Sequence, residues 1–340
     1  MINTRYRLVK GKEFQNFYVD EQITENEIIV KPTYLSICVA DQRYYQGSRP
    51  IEILKKKLPM SLIHEAVGIV LYDPKNEIKK NSKVVLVPLI DDYPNDNCKS
   101  NYNPKNKFRS SSTDGYTQSV CVVNRNDIVQ FDKTDEKVAS LTELLSVAIN
   151  SFDNLKHILN SDKNYRIGIW GSGSLGYIVA LLLEKKYKNI NVVMFGKNDS
   201  QLQYFTFVKE KYTIDEDLSK VYIDHAIECV GGSNSSNAIN QIIDLIKPQG
   251  IISLLGVSEN YVDINTRMVL EKGLSLYGSS RSNKNDFEEA VKTLEENPEI
   301  CEYLKTLISE EIVVNNIDDL NKAFNNDVNN RFKTIMKWEL

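Results

Sequence analysis

From Ile28 to Val122 the apolar positions come in short runs broken by turn residues: EIIVKPTYLSICVA, AVGIVLYD, SKVVLVPLI and YTQSVCVVNRNDIV. Runs of this length, rich in β-branched residues, predict strands, so the stretch reads as an all-β unit. Between two of them DDYPNDNCKSNYNPKNKFRSSSTDG is polar and rich in Asn, Pro and Ser, which predicts a long surface loop of the kind that often carries function. Near residue 150 the texture changes. From ASLTELLSVAINSFDNL onward helical patterns alternate with buried strands in YRIGIWGSGSLGYIVALLLEKKY, INVVMFG, HAIECVGG, NQIIDLIKPQGIISLLGV and LSLYGSS. That repetition predicts an α/β unit with a parallel sheet covered on both faces. The tail, from FEEAVKTLEENP to FKTIMKWEL, holds a helix and apolar strand-like ends, and its texture alone assigns it no role.

Composition narrows the class. The 340 residues allow two domains, and 41% hydrophobic with 26% charged residues is the balance of a globular protein. No apolar run reaches the ~18 residues of a membrane span, and MINTRYRLVKGKEF has no apolar segment with a cleavage site, so a cytoplasmic protein is expected. A net charge of -4 with both signs interspersed offers no basic stripe for nucleic acid. Cysteines 38, 98, 121, 229 and 301 form no CxxC pair. They read as reduced thiols, each available as a metal ligand.

The sharpest local signal is IGIWGSGSLGYIVALLL, where Gly171, Ser172, Gly173, Ser174, Leu175 and Gly176 spell GxGxxG between a strand and an apolar helix. Glycines there permit a tight turn and close approach of backbone N–H groups to a pyrophosphate. At the end of the next strand an NAD site carries an acid, whereas this chain has Gly196 and Lys197. Room and positive charge favour a 2′-phosphate, and so NADPH. The alternative is a solvated Lys197 with Asp199 doing the acidic work.

MSLIHEAVGIV places His64 and Glu65 side by side in an apolar run. Buried charge is costly unless paired or metal-bound. Cys38 closes one strand-like run, and Glu143 sits in SLTELLSVAIN. Each alone reads as a core thiol, a buried imidazole and a helix N-terminal acid. Together, ahead of a nucleotide fingerprint, they suit a catalytic zinc, which needs about three ligands and an open position.

In these residues the chain resembles the zinc-dependent medium-chain dehydrogenases. The resemblance implies a GroES-like, mostly-β catalytic domain over residues 1–148, completed by about 288–340, and a doubly wound Rossmann NADP-binding domain over 149–287. It implies one catalytic Zn2+ held by Cys38, His64 and Glu143, with Glu65 as a fourth or exchangeable ligand, and Asp41 orienting His64. Two departures stand out: Ile63 replaces the usual glycine before the histidine, and the four-cysteine lobe is reduced to Cys98, so no structural zinc is expected. Ala40 replaces a Ser or Thr hydroxyl, leaving the proton donor to water or another group.

A resemblance over nearly the whole chain, in ADQRYYQGSR, KLPMSLIHEAVG, FRSS, ECVGG, LLGVSE, NTRMVLEKGL and GSSRS, is to the ribulose-5-phosphate reductases of teichoic acid and capsule synthesis. It implies reduction of a pentulose phosphate by NADPH at zinc, beside a ribitol-5-phosphate cytidylyltransferase, with a homodimer expected for the fold. For the substrate phosphate, arginine's fork suggests Arg43 and Arg109, with Ser110 sharing the anion. Competing readings are a polyol dehydrogenase acting on an unphosphorylated substrate and a non-catalytic NADPH-binding protein.

Overall fold

In the computed structural model, which describes residues 1–93 and 97–340, the chain forms two units: Met1–Ser146 with Ser282–Leu340, and Val147–Arg281. Residues 94–96, within the predicted polar loop, lie outside the described residues. The rest of that loop contains a short helical turn, Ser100–Tyr102, and a strand, Lys107–Phe108, paired with Leu89–Ile90.

The first unit is built on a mixed sheet in the order Ile128–Phe131, Lys83–Leu86, Glu65–Tyr72, Glu27–Ser36, Lys333–Trp338, Ile308–Val314, with Cys121–Asn124 also pairing Glu27–Ser36. Pro32, which lacks an N–H, stands opposite Gly68, and the ladder shifts register there. The sheet brings distant residues together at one end. Ser36 pairs with Glu65 on one side and Ile335 on the other. The tail therefore supplies two strands of this unit's sheet, Ile308–Val314 and Lys333–Trp338. An N-terminal hairpin, Ile2–Lys10 with Glu13–Asp20, went unread, because Arg5, Arg7 and Lys10 break the apolar alternation.

The run ICVA reads as strand, but the strand ends at Ser36 and a helix runs over Val39–Tyr45. Cys38 caps it with extended backbone, and Asp41 three residues on accepts the Cys38 N–H at 3.4 Å. That reciprocal cap outweighs the local β-propensity.

The second unit is a six-stranded, all-parallel sheet in the order Glu210–Thr213, Ile190–Gly196, Tyr165–Trp170, His225–Glu228, Ile251–Leu254, Ser275–Gly278. In chain order this is 3-2-1-4-5-6, the doubly wound arrangement expected from the strand–helix repeats. Helix Ser174–Lys186 buries eight consecutive residues, Gly176–Leu183. Trp170 and Phe195, on adjacent central strands, stack with ring centroids 3.8 Å apart. Among the described residues no helix is long and apolar enough to cross a membrane.

Candidate active site

Cys38, His64 and Glu65 converge so that one donor atom from each lies within 4.8 Å of the others. The sheet register explains this: Cys38 follows Ser36 by two residues, and Ser36 pairs with Glu65. Asp41, fully buried, receives His64 Nδ1 at 3.2 Å on Oδ2 and the Ile63 N–H at 3.0 Å on Oδ1. The Ser110 hydroxyl also donates to Oδ1. With Nδ1 engaged, the imidazole presents Nε2 as the free ligand atom. Phe108 packs its ring 5.7 Å from that of His64.

Ile63 reaches its bond to Asp41 only in a left-handed conformation, φ 72°. A β-branched residue there carries strain of about 1–2 kcal/mol that glycine would not. Ile63 thus keeps glycine's backbone geometry without glycine, held by the Tyr116 N–H on its carbonyl at 2.8 Å.

Glu65 Oε1 accepts from Lys333 Nζ at 2.7 Å, while its Oε2 is buried with no hydrogen-bond partner. Glu143 is buried beside this group but stands outside the 4.8 Å set. Burial, with Glu65 and Asp41 adding to it against His64 and Lys333, pushes its carboxyl up to about 7. Burial opposes the charged imidazole of His64, yet Asp41 and Cys38 outweigh it and raise His64 well above its usual value. A thiol, an imidazole and the buried Glu65 carboxylate with its orphaned oxygen form a donor set that a divalent cation would satisfy, and the buried Glu143 carboxylate lies outside it.

In the second unit a cavity of about 600 Å³ is lined by Trp170–Gly173, Phe195–Lys197, Ile214, Asp215, Cys229 and Val230, among others. A Cβ on Gly176 would sit 1.8 Å from the Gly171 carbonyl oxygen, and Gly171 takes φ +112°, so both positions require glycine. A Cβ on Gly173, the helix N-cap, would meet nothing within 4 Å, which leaves open space at the helix N-terminus for a phosphate. Lys197 lines this cavity; Asp199 does not, and its carboxylate accepts from Gln203 at the surface.

The residues expected to hold the substrate phosphate have contacts of their own in the fold. Ser110 is buried and its hydroxyl is spent on Asp41. Arg109, half-buried, lies over the Tyr116 ring at 5.5 Å and donates to the Val122 carbonyl at 3.4 Å, while its buried Nε has no hydrogen-bond partner. Arg43 lies half-buried on the helix that Cys38 caps, two residues beyond Asp41.

Residues 136–338 match the glucose dehydrogenase C-terminus family and residues 24–133 the alcohol dehydrogenase GroES-like domain. The chain is 42% identical to a ribulose-5-phosphate reductase of Bacillus spizizenii over 100% of both chains. It is 44% identical to ribulose-5-phosphate reductase 1 of Staphylococcus aureus over 99% of both. The chain belongs to the ribulose-5-phosphate reductase family of medium-chain dehydrogenases. The crystal structure of Staphylococcus aureus TarJ in complex with NADPH matches it with a TM-score of 0.89 at 42% identity, covering 100% of each chain. The fold expected from sequence, a GroES-like domain with a Rossmann-type parallel sheet, is that of this family.

Within this reductase framework, sequence reasoning missed Lys333, although a lysine opening the apolar strand KTIMKW was a visible anomaly. Asp215 was also missed. It lines the same cavity as Lys197, one residue after Ile214, whose N–H donates to the Gly196 carbonyl at 3.0 Å.

Proposed function

We propose that the chain reduces D-ribulose 5-phosphate to D-ribitol 5-phosphate with NADPH and a catalytic zinc, supplying the precursor for CDP-ribitol in teichoic acid or capsule synthesis. The observation that carries this reading is the Cys38–His64–Glu65 convergence with its orphaned Glu65 oxygen, in a chain 39% to 44% identical along its length to four reductases of that name. Cys38, His64 and Glu65 would hold the metal, with Glu143 supplying a further carboxylate. When bound, zinc supplies Lewis acidity toward the ketose carbonyl and NADPH the hydride.

The chain's own residues do the rest. Asp41 fixes the tautomer and orientation of His64. Lys333 holds one oxygen of Glu65 and leaves the other facing the donor set. Gly171 and Gly173 open the approach for the pyrophosphate, Lys197 meets the 2′-phosphate, and Arg43 takes the substrate phosphate.

Strand Ser275–Gly278 ends the parallel sheet as an open edge with Tyr277 exposed, next to helix Thr266–Lys272, which buries no residue and leaves Leu270 exposed. This edge supports a homodimer, and a cytidylyltransferase that consumes the product is the natural partner in the cytoplasm.

The test is NADPH consumption with ribulose 5-phosphate against ribulose and sorbitol oxidation, with zinc measured by elemental analysis. About one zinc per chain and turnover confined to the phosphate ester are expected. Equal turnover of free ribulose would transfer the reading to a polyol dehydrogenase.

A further inference from the structure

His64 lies where the chain passes from one sheet to another. Strand Met60–Ser61 pairs with Leu8 and Arg7 of the N-terminal hairpin, and the strand that begins at Glu65 belongs to the larger sheet of the same unit. Leu62, Ile63 and His64 lie between the two strands, and Ile63 makes the change of direction at φ 72°. A β-branched residue in the left-handed region persists only where its surroundings over-determine it.

Here every backbone polar group from Ser61 to Ile63 is engaged. Three consecutive N–H groups donate to three side chains: Ser61 to Asp114 Oδ1 at 2.8 Å, Leu62 to Thr117 Oγ1 at 3.1 Å and Ile63 to Asp41 Oδ1 at 3.0 Å. The three carbonyls accept from one loop: Ser61 from the Gly115 N–H at 2.7 Å, Leu62 from that of Thr117 at 3.1 Å and Ile63 from that of Tyr116 at 2.8 Å. Gly115 permits this approach, since a Cβ on it would lie 2.3 Å from the carbonyl oxygens of both Leu62 and Ile63.

A row of side-chain acceptors thus takes the place of a partner strand, and the buried N–H groups are satisfied without a ladder. The acceptors on the loop are themselves held. Thr117, fully buried, donates its hydroxyl to the Tyr6 carbonyl at 2.9 Å, which leaves a lone pair for Leu62. Asp114 accepts from Arg7 Nη2 at 2.6 Å and Nε at 3.1 Å, and from Arg5 Nη1 at 2.8 Å. Arg5 and Arg7, which break the apolar alternation of the N-terminal hairpin, are therefore the cations that fix one end of the row.

We propose that Thr117 and Asp114 are positioning residues for His64: with Asp41 they hold the left-handed turn at Ile63 and so deliver the imidazole to the Cys38–His64–Glu65 donor set. The proposal rests on the zinc reading above. Without these acceptors the strained turn relaxes, the binding-competent arrangement becomes a fraction of the population, and metal affinity falls by that fraction. Glycine at position 63 would carry no such strain and would need no such support.

The test measures zinc affinity of the full chain against a competing chelator in two variants. Thr117→Val keeps the shape and removes the hydroxyl, whereas Thr117→Ser keeps the hydroxyl. Affinity is expected to fall about tenfold or more in Thr117→Val and to stay within about threefold of wild type in Thr117→Ser. In an Ile63→Gly background the Thr117→Val change is expected to cost less than about threefold, a coupling that lost packing would not produce. If Thr117→Val does not accumulate folded, Asp114→Asn is carried through the same titrations with and without Ile63→Gly. Equal losses in Thr117→Val and Thr117→Ser, no loss in Thr117→Val, or a loss that Ile63→Gly leaves undiminished overturns the proposal. Wild-type protein that holds no zinc refutes the zinc reading and the proposal with it.

Discussion

Lys333 Nζ and Glu65 Oε1 lie 2.7 Å apart in a buried ion pair that ties the last strand of the chain to the strand that begins at Glu65. Glu65 gives one oxygen to Lys333 and belongs to the Cys38–His64–Glu65 donor set, so the C-terminal strand helps build the candidate metal site. Removing one member of a buried pair strands the other charge, which costs about 3–5 kcal/mol. Lys333→Met should therefore destabilise the metal-free protein by about that much in urea unfolding. Glu65→Gln added to Lys333→Met should recover most of it. A double variant as unstable as the single one would show that Lys333 acts by packing and not by charge.

The chain Ser110–Asp41–His64 leads to a prediction about metal retention. Outer partners of a ligating histidine are worth about 10–100-fold in metal affinity, so Asp41→Asn should lose zinc to a competing chelator by about that factor. Ser110 stands at φ 59°, where glycine is unstrained. Ser110→Gly should thus weaken zinc retention without lowering the melting temperature of the metal-free protein. Unchanged retention in Ser110→Gly would mean that the hydroxyl merely fills space.

Lys197 lines the nucleotide cavity and Asp199 turns away from it, so cofactor choice is expected to depend on Lys197. A charge-assisted phosphate contact is worth about 1.5–3 kcal/mol, or roughly ten- to a hundredfold in affinity. Lys197→Ala should raise KM for NADPH by that factor and leave KM for NADH nearly constant. Equal rises for both would assign the lysine to loop support.

How far the sequence could be read depends on whether a residue's partners are local. The nucleotide half was legible because strand, glycines and helix are contiguous from Tyr165 to Lys186, and the 3.6-residue and two-residue periods switch cleanly there. The Cys38, His64 and Glu65 set was legible as residue types. Its geometry was not, because it depends on strand register and on a tail strand that carries Lys333 across 268 positions. Ser110 and Arg109 were legible as a hydroxyl beside an arginine, and only the fold reveals that the Ser110 hydroxyl also donates to Asp41 and that Arg109 lies over Tyr116. Ile63 misled in the opposite direction, since its side chain conceals a backbone conformation that glycine would have advertised.

His225 offers a pH prediction away from the metal site. Its Nδ1 accepts the Ile251 N–H at 3.1 Å, its ring lies 5.2 Å from that of Tyr165, and burial, with a smaller push from His157 against the pull of Asp224, lowers it to about 4. The unfolded chain takes up this proton near the ordinary value of 6.5, before the folded one does. The stability that neutral His225 contributes is therefore complete above pH 6.5 and is lost as pH falls toward 4. His225→Asn should flatten the fall in melting temperature over that window. An unchanged pH profile in the variant would place the acid sensitivity elsewhere.

The substrate prediction concerns the expected phosphate contact of Arg43. Arg43 lies half-buried on the helix that Cys38 caps, two residues beyond Asp41, which orients His64. A grip on the 5-phosphate is remote from the reacting carbonyl, so its binding energy is available to hold that carbon in place for reduction. Loss of the phosphate should then depress turnover as well as affinity. Ribulose 5-phosphate is expected to exceed ribulose at least about a hundredfold in kcat/KM, equivalent to about 2.7 kcal/mol in the transition state. Arg43→Ala should erase most of that ratio by slowing only the phosphorylated substrate. If both substrates slow together, Arg43 supports the helix that carries Cys38 and Asp41, and the phosphate is bound by another group.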